Sequence, residues 1–225
     1  MAILDKSNLA NLNDKFETHL NSKVSLRLFT QNNSGLIIPG KRCDTCITTE
    51  AILTEVSSVS NNVSLEIIDF YNNEQASREL KIKRIPATVI GQSGRAIFYG
   101  MPSGYEFSTL VNSIINASLD SQNLNEDLHR DLETIENPIN IKVFVTPSCK
   151  YCPEIAELAL SLAMQFETIK TEIIEVQEYP DLASNYGITS VPITIINDKI
   201  QIPGQISSDT LVENLLQIND EMRIA

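Results

Sequence analysis

Three landmarks in this chain recur at one offset, and that repetition limits its possible folds more than any other feature. Cys43-Asp44-Thr45-Cys46 and Cys149-Lys150-Tyr151-Cys152 are both Cys-x-x-Cys pairs, and the second follows the first by 106 positions (149 − 43). Glu66-Ile67-Ile68-Asp69 returns as Glu172-Ile173-Ile174-Glu175 at the same offset. So does Ile85-Pro86-Ala87-Thr88-Val89-Ile90, as Val191-Pro192-Ile193-Thr194-Ile195-Ile196. A period far beyond ~50 residues marks two copies of a domain-sized unit and not a solenoid. The 225 residues therefore divide into two units of roughly 110 each, a size that can bury its own core.

Each Cys-x-x-Cys stands where one pattern gives way to another. In the second copy an apolar run of strand type (Ile141, Val143, Val145) ends just before the pair, and a helical pattern follows. The spacing predicts a helix starting at Cys149, with Cys152 one turn further in on the same face. Unpaired N–H groups and the positive end of the helix dipole favour thiolate over thiol there. Pro153, which lacks an N–H, is tolerated in a first helical turn. All four cysteines lie in the two pairs, so none is left for a structural staple. This usage reads as thiol–disulfide exchange: Cys149 attacks, a mixed disulfide forms and Cys152 resolves it. Cys43 and Cys46 are read in the same way. The competing reading is one four-cysteine zinc site built from both pairs. A separate proline motif for each pair favours exchange, and no metal is expected.

The remaining pattern repeats as well. Leu9, Leu12, Phe16 and Leu20 predict a helix over 5–20, with Ser7 or Asn8 as its cap. Val24–Phe29 and Ile139–Phe144 read as matched strands. Each copy then reads α-β-α-β-α-β-β-α, which is α/β: a mixed central sheet flanked by helices. The copies differ between Thr30 and Arg42, where Asn, Gly and Pro mark a loop about nine or ten residues longer than its counterpart. Its Leu36-Ile37-Ile38 either pins the loop to the core or offers an apolar contact beside the first site. Residues 118–123 are mostly polar, so the domains are drawn as 1–118 and 119–225, with a linker short enough to keep them in contact.

These features resemble a known family. A Cys-x-x-Cys after a strand, followed some forty residues later by Ile85-Pro86 or Val191-Pro192 before a β run, is similar to the thioredoxin/glutaredoxin fold. Two such units resemble the glutaredoxin-like protein disulfide oxidoreductases best known from archaea. The resemblance implies two tandem thioredoxin-like domains that reduce, form or isomerise protein disulfides. It also implies that Pro86 and Pro192 are cis, leaving the backbone of Ile85 and Val191 to pair with an extended substrate. Cys149-Lys150-Tyr151-Cys152-Pro153 further resembles the glutaredoxin motif through Tyr151 and Pro153, while Thr45 and Ile47 of the first site depart from it at both positions. Lys150 should favour the Cys149 thiolate and Asp44 should oppose that of Cys43. The second site also resembles that of the N-terminal module of alkyl hydroperoxide reductase flavoproteins. That likeness supports an alternative role as a dedicated electron shuttle from a thioredoxin-reductase-like flavoprotein to a peroxidase. A third possibility is a chaperone-like polypeptide-binding module. Asp69 and Glu175 either relay a proton to a resolving cysteine or simply end their strands.

The net charge of −12 argues against nucleic-acid or anionic-membrane partners. No apolar run reaches the ~18 residues of a membrane span, and residues 1–8 lack a signal-peptide pattern, so the cytoplasm is expected. No Gly-rich dinucleotide loop is present, and no bound cofactor is expected. Electrons would then come from a thioredoxin-reductase-like flavoprotein or a small thiol. The substrates would be proteins carrying thiols or disulfides.

Overall fold

The structure is a computed structural model and describes residues 3–31, 42–119 and 125–224. The Leu36–Ile38 segment and the centre of the polar boundary lie outside the described residues. The first unit contains α1 (Lys6–His19), β1 (Val24–Thr30), α2 (Cys46–Ser58), β2 (Val63–Asp69), α3 (Glu74–Glu79), β3 (Ala87–Ile90), β4 (Ala96–Tyr99) and α4 (Tyr105–Ala117). The second contains α5 (Glu126–Glu133), β5 (Ile139–Val145), α6 (Cys152–Gln165), β6 (Ile169–Glu175), α7 (Pro180–Asn185), β7 (Ile193–Ile196), β8 (Ile200–Pro203) and α8 (Ser208–Ile224). The α-β-α-β-α-β-β-α order is present in both. The cap of α1 is Asp5, not Ser7 or Asn8: its carboxylate accepts the Asn8 N–H at 2.7 Å.

The units repeat in packing as well as in order. β1 and β5 share one burial pattern, with every second residue buried and then three buried in succession. β1 runs parallel to β2 and antiparallel to β3, and β5 has the same relation to β6 and β7. Each unit thus holds a four-stranded mixed sheet.

The two sheets are one. β4 pairs in parallel with β6, from Ala96 opposite Thr171 to Tyr99 opposite Ile174. The resulting order is β2-β1-β3-β4-β6-β5-β7-β8. A hairpin strand at a sheet edge presents a row of unpaired N–H and C=O groups, and here the neighbouring unit takes them up. The consequence shows in burial: all four residues of β4 are buried, while its counterpart β8, left at the edge, alternates half-buried and exposed. One core packs α1, α2, α4, α5, α6 and α8 against one sheet face, and a smaller one lies on the other face beside α3 and α7. Both cores run across the unit boundary.

Helices α4 and α6 carry the junction further. Asn112 donates to Glu157 at 2.8 Å and Asn116 to Ser161 at 3.3 Å. Both partners advance together along their helices, so α4 and α6 run parallel. At the start of α4, Gly104 has φ +58°, and a Cβ there would overlap the Pro147 carbonyl oxygen. Gly104→Ala combines strained backbone with a backbone clash, so we expect a loss of about 2 kcal/mol, seen as a melting temperature lower by roughly 4–8 °C. An unchanged melting temperature would show that the junction yields easily.

Candidate active sites

Both Cys-x-x-Cys pairs are closed as disulfides, each within itself, with Cα atoms 5.5 Å apart. The helix starts differ from the expected ones: α2 and α6 begin at Cys46 and Cys152, and the outer cysteines lie in the preceding turn. The Cys149 N–H donates to Thr146 O at 3.1 Å, and the Cys152 N–H donates to Cys149 O at 3.3 Å. That turn changes exposure within each pair. Cys43 and Cys149 are half-buried, whereas Cys46 and Cys152 are at most 1 % exposed. Neither helix start has a side-chain cap bond, and Pro153 occupies the first turn of α6. An approaching sulfur can therefore reach only the outer cysteine of each pair, beside an uncapped helix terminus.

The proline motifs open strands β3 and β7. The Ile85–Pro86 and Val191–Pro192 peptide bonds are both cis. Pro86 O accepts from Gly100 N at 3.0 Å, and Pro192 O from Gly204 N at 2.8 Å. Ile85 lines the same cavity as Cys43, and Val191 packs with Cys149 against the larger core. Lys150 and Tyr151 are exposed at the second site, with the Lys150 ammonium 4.8 Å from the Tyr151 ring centre. Tyr105, from the other unit, is also exposed, and its N–H donates to Pro147 O at 2.9 Å. Asp44 pairs with Arg42 at the exposed surface beside Cys43.

Asp69 and Glu175 end their strands and cap the loops that follow. Asp69 accepts the N–H groups of Tyr71 and Asn72, both at 3.0 Å. Glu175 accepts those of Gln177 at 3.0 Å and Glu178 at 2.8 Å. Burial pushes the Glu175 carboxyl above its ordinary range, those two N–H bonds hold it down, and Glu178 adds to the rise. Both carboxylates are occupied by their loops.

Three features of the sites come from contacts between the units and have no counterpart in the sequence-based expectations. Glu106 is fully buried in the first turn of α4, and neither of its oxygens has a partner among the described residues. The parallel run of α4 and α6, with Tyr105 tied to Pro147, sets the first turn of α4, which carries Glu106, level with the start of α6. Burial lifts its carboxyl to about 7, and Glu157 and Glu175 add to the rise. The sequence does carry a signal: Glu106 falls on the same helix face as the apolar Leu110 and Ile114. The second feature is Tyr179, whose hydroxyl donates to Pro86 O at 3.1 Å. The third is Glu178, whose carboxylate reaches Thr45 and the Met101 N–H. The first site is thus walled by the second unit. A cavity of about 610 Å³ there is lined by Cys43, Thr45, Ile85, Arg84, Glu178 and Tyr179 among others.

Comparison with known proteins agrees with this arrangement. A model of the thioredoxin domain matches residues 36–112 and again 139–217. The protein disulfide oxidoreductase of Aeropyrum pernix K1 superposes with a TM-score of 0.86 over 98 % of this chain and 96 % of its own, at 22 % identity. The NTD_N/C domain of alkylhydroperoxide reductase AhpF from Enterococcus faecalis V583 gives 0.83 over 94 % and 99 %, at 23 % identity. These two likenesses show the fold. In sequence, the AhpF component of the alkyl hydroperoxide reductase of Xanthomonas campestris pv. phaseoli is 24 % identical over 164 residues, 73 % of this chain and 30 % of its own. A probable thioredoxin of Methanothermobacter thermautotrophicus is 35 % identical over 85 residues, 37 % of this chain and 96 % of its own. The chain spans about a third of the length of the first curated relatives it matches, 27–33 %.

Proposed function

Because the chain belongs to the thioredoxin-domain family, we propose that it is a protein disulfide oxidoreductase with two exchange sites, one in each of the units 1–118 and 119–225. The observation that carries this reading is the pairing, at both sites, of a half-buried outer sulfur with a buried inner one. In the reducing direction the Cys149 thiolate attacks one sulfur of a substrate disulfide. The substrate S–S bond breaks, one substrate thiolate leaves and a mixed disulfide remains. Cys152, deprotonated, then attacks the Cys149 sulfur and releases the second substrate thiolate. The substrate gains two electrons, and the protein is left with the Cys149–Cys152 disulfide. Formation and isomerisation use the same steps in other orders. Cys43 and Cys46 act likewise in the first site.

The remaining residues have supporting roles. Glu106, with its pKa near 7, accepts the proton that Cys152 must lose. Ile85 and Val191, beside Pro86 and Pro192, offer backbone groups to an extended polypeptide, which suits varied protein substrates. Tyr151 and Tyr105 give that polypeptide an apolar rim at the second site. Lys150 favours the Cys149 thiolate, Pro153 favours the start of α6 at Cys152, and Asp44 weakens the first site. No helix among the described residues is long and apolar enough to cross a membrane. Confinement of every cysteine to a Cys-x-x-Cys suits a cytoplasmic setting, with a thioredoxin-reductase-like flavoprotein returning electrons.

The likeness to AhpF favours a second reading, a dedicated shuttle from such a flavoprotein to a peroxidase. A general disulfide substrate such as insulin separates the two, because a dedicated shuttle would leave it unreduced. The sites are also ranked by this reading. In proteins retaining one pair each, iodoacetamide should label reduced Cys149 faster than Cys43 near pH 7, by about tenfold. Faster labelling of Cys43 would reverse the ranking.

A further inference from the structure

The two sites are not walled alike, and the difference rests on Glu178. This residue follows β6 in the second unit, yet its carboxylate faces the first site. One oxygen accepts the Met101 N–H at 2.6 Å, and the other accepts the Thr45 hydroxyl. Thr45 stands between the two cysteines of the first pair, directly before Cys46. Cys43 and Glu178 line one cavity.

Two of the cations lining that cavity are paired, and Lys83 is left without an ion-pair partner among the described residues. Arg42 pairs with Asp44, and Arg84 pairs with Asp181 at 2.7 Å. Lys83 also lines the cavity and acts on Asp198. Tyr71 and Tyr179 line it too, and burial pushes both phenols up, so they stay neutral. Glu178 has no cation within ion-pair distance among the described residues. Its position is braced as well as charged. Its own N–H donates to Glu175 at 2.8 Å, and a Cβ on Gly100 would lie 3.1 Å from its carboxylate. The matching position in the first unit is Asn72, which is uncharged and bonded to Asp69 at 3.0 Å. The repeat therefore supplies no equivalent charge by symmetry.

We propose that Glu178 is a positioning residue through which the second unit controls the first site: it anchors Thr45 and places an unpaired negative charge that holds Cys43 back from the thiolate form. The proposal rests on the reading of Cys43 as an exchanging thiol. Coulomb repulsion between the carboxylate and a developing thiolate acts across a partly desolvated cavity, where screening is weaker than in water. The Thr45 bond fixes the carboxylate, so the penalty is not relieved by its swinging away. The two redox centres then differ because of their neighbours and not only because of Asp44 and Lys150.

The test uses the full chain with Cys149→Ser and Cys152→Ser, and follows iodoacetamide labelling of reduced Cys43 over about pH 5 to 10. Glu178→Gln keeps the size of the side chain and an oxygen for the Met101 N–H, replaces the acceptor of the Thr45 hydroxyl with an amide that donates to it, and removes the charge. We expect the midpoint for Cys43 to fall by about one unit and labelling near pH 7 to rise about tenfold. Glu178→Asp, which keeps the charge, should leave most of the original profile. In the reciprocal protein with Cys43→Ser and Cys46→Ser, Glu178→Gln should not move the Cys149 profile. An unmoved Cys43 midpoint, an equal shift at Cys149, or a shift with Glu178→Asp as large as with Glu178→Gln would overturn the proposal. Reaction of unsubstituted Cys43 with an aromatic disulfide serves as the control. If Cys43 exchanges and its midpoint does not move, only this proposal fails. If Cys43 does not exchange, the redox reading of the first site fails and the proposal falls with it.

Discussion

In a protein whose first pair has been changed to serine, Cys149→Ser should reduce catalysed disulfide reduction to the uncatalysed background, whereas Cys152→Ser should accumulate a mixed disulfide on Cys149. The asymmetry follows from burial. Cys152 is 0 % exposed at the start of α6, so no protein substrate can reach its sulfur, while Cys149 lies half-buried in the turn before it. Removing Cys149 removes the point of entry. Removing Cys152 leaves entry intact and deletes resolution, so the covalent intermediate persists. Mass spectrometry of the quenched reaction reads both outcomes directly. A substrate adduct on Cys152 in the Cys149→Ser protein would reverse the assigned order of attack.

The second large effect is expected at Glu106, which couples catalysis to stability. Its carboxyl is buried without a partner among the described residues and titrates near 7 instead of 4.5. A raised carboxyl pKa means that the folded state holds a proton that the unfolded state releases. Below about pH 4.5 both states are protonated and no penalty applies. Between 4.5 and 7 the unfolded chain ionises first and stability falls, and above 7 the full penalty is present. A shift of this size corresponds to roughly 3 kcal/mol. Glu106→Gln should therefore flatten the decline of stability between pH 5 and 8 in urea titrations, by up to about that amount. In the proposed mechanism the same substitution removes the proton acceptor for Cys152. Turnover through the second site should fall about a hundredfold, and its pH profile should lose the limb near 7. A Glu106→Gln protein with unchanged second-site kinetics would make the residue a purely structural feature of the junction. A retained pH slope in stability would show that another group titrates there.

The parts of this fold that are legible in the sequence are those fixed by short-range chemistry repeated twice. Cys43 to Cys46 and Cys149 to Cys152 are local, and so are Pro86 and Pro192 with the strands they introduce. Even there, local spacing misplaces one feature: the helices start at Cys46 and Cys152, because a turn bonded to Thr146 precedes the second of them. The features that stay hidden all depend on contact between the copies. A repeat of 106 residues says that two units exist, but not which edge of one meets the other. The β4–β6 ladder buries the Ala96–Tyr99 strand on both faces, in keeping with its unbroken apolar run beside the Gln201-interrupted edge strand Ile200–Pro203, but nothing in those four residues names β6 as the partner. Glu106 and Glu178 acquire their surroundings from residues on the other side of that junction. Glu178 lies in a polar loop and reads as solvated, yet it bonds Thr45 across 133 positions. Glu106 is open to notice, as a charge on an apolar helix face, but its place level with the start of α6 requires the parallel packing of α4 on α6.

If both Cys-x-x-Cys pairs are redox couples and not structural staples, their reduction potentials must lie where exchange with other proteins is possible. The most direct test is the potential of each pair, measured in proteins that retain only Cys43/Cys46 or only Cys149/Cys152 and equilibrated in defined thiol buffers. Each pair should titrate as a two-electron couple within roughly −270 to −120 mV, the span of known exchange proteins. A potential below about −300 mV for both pairs, the range of structural disulfides, would contradict the redox assignment.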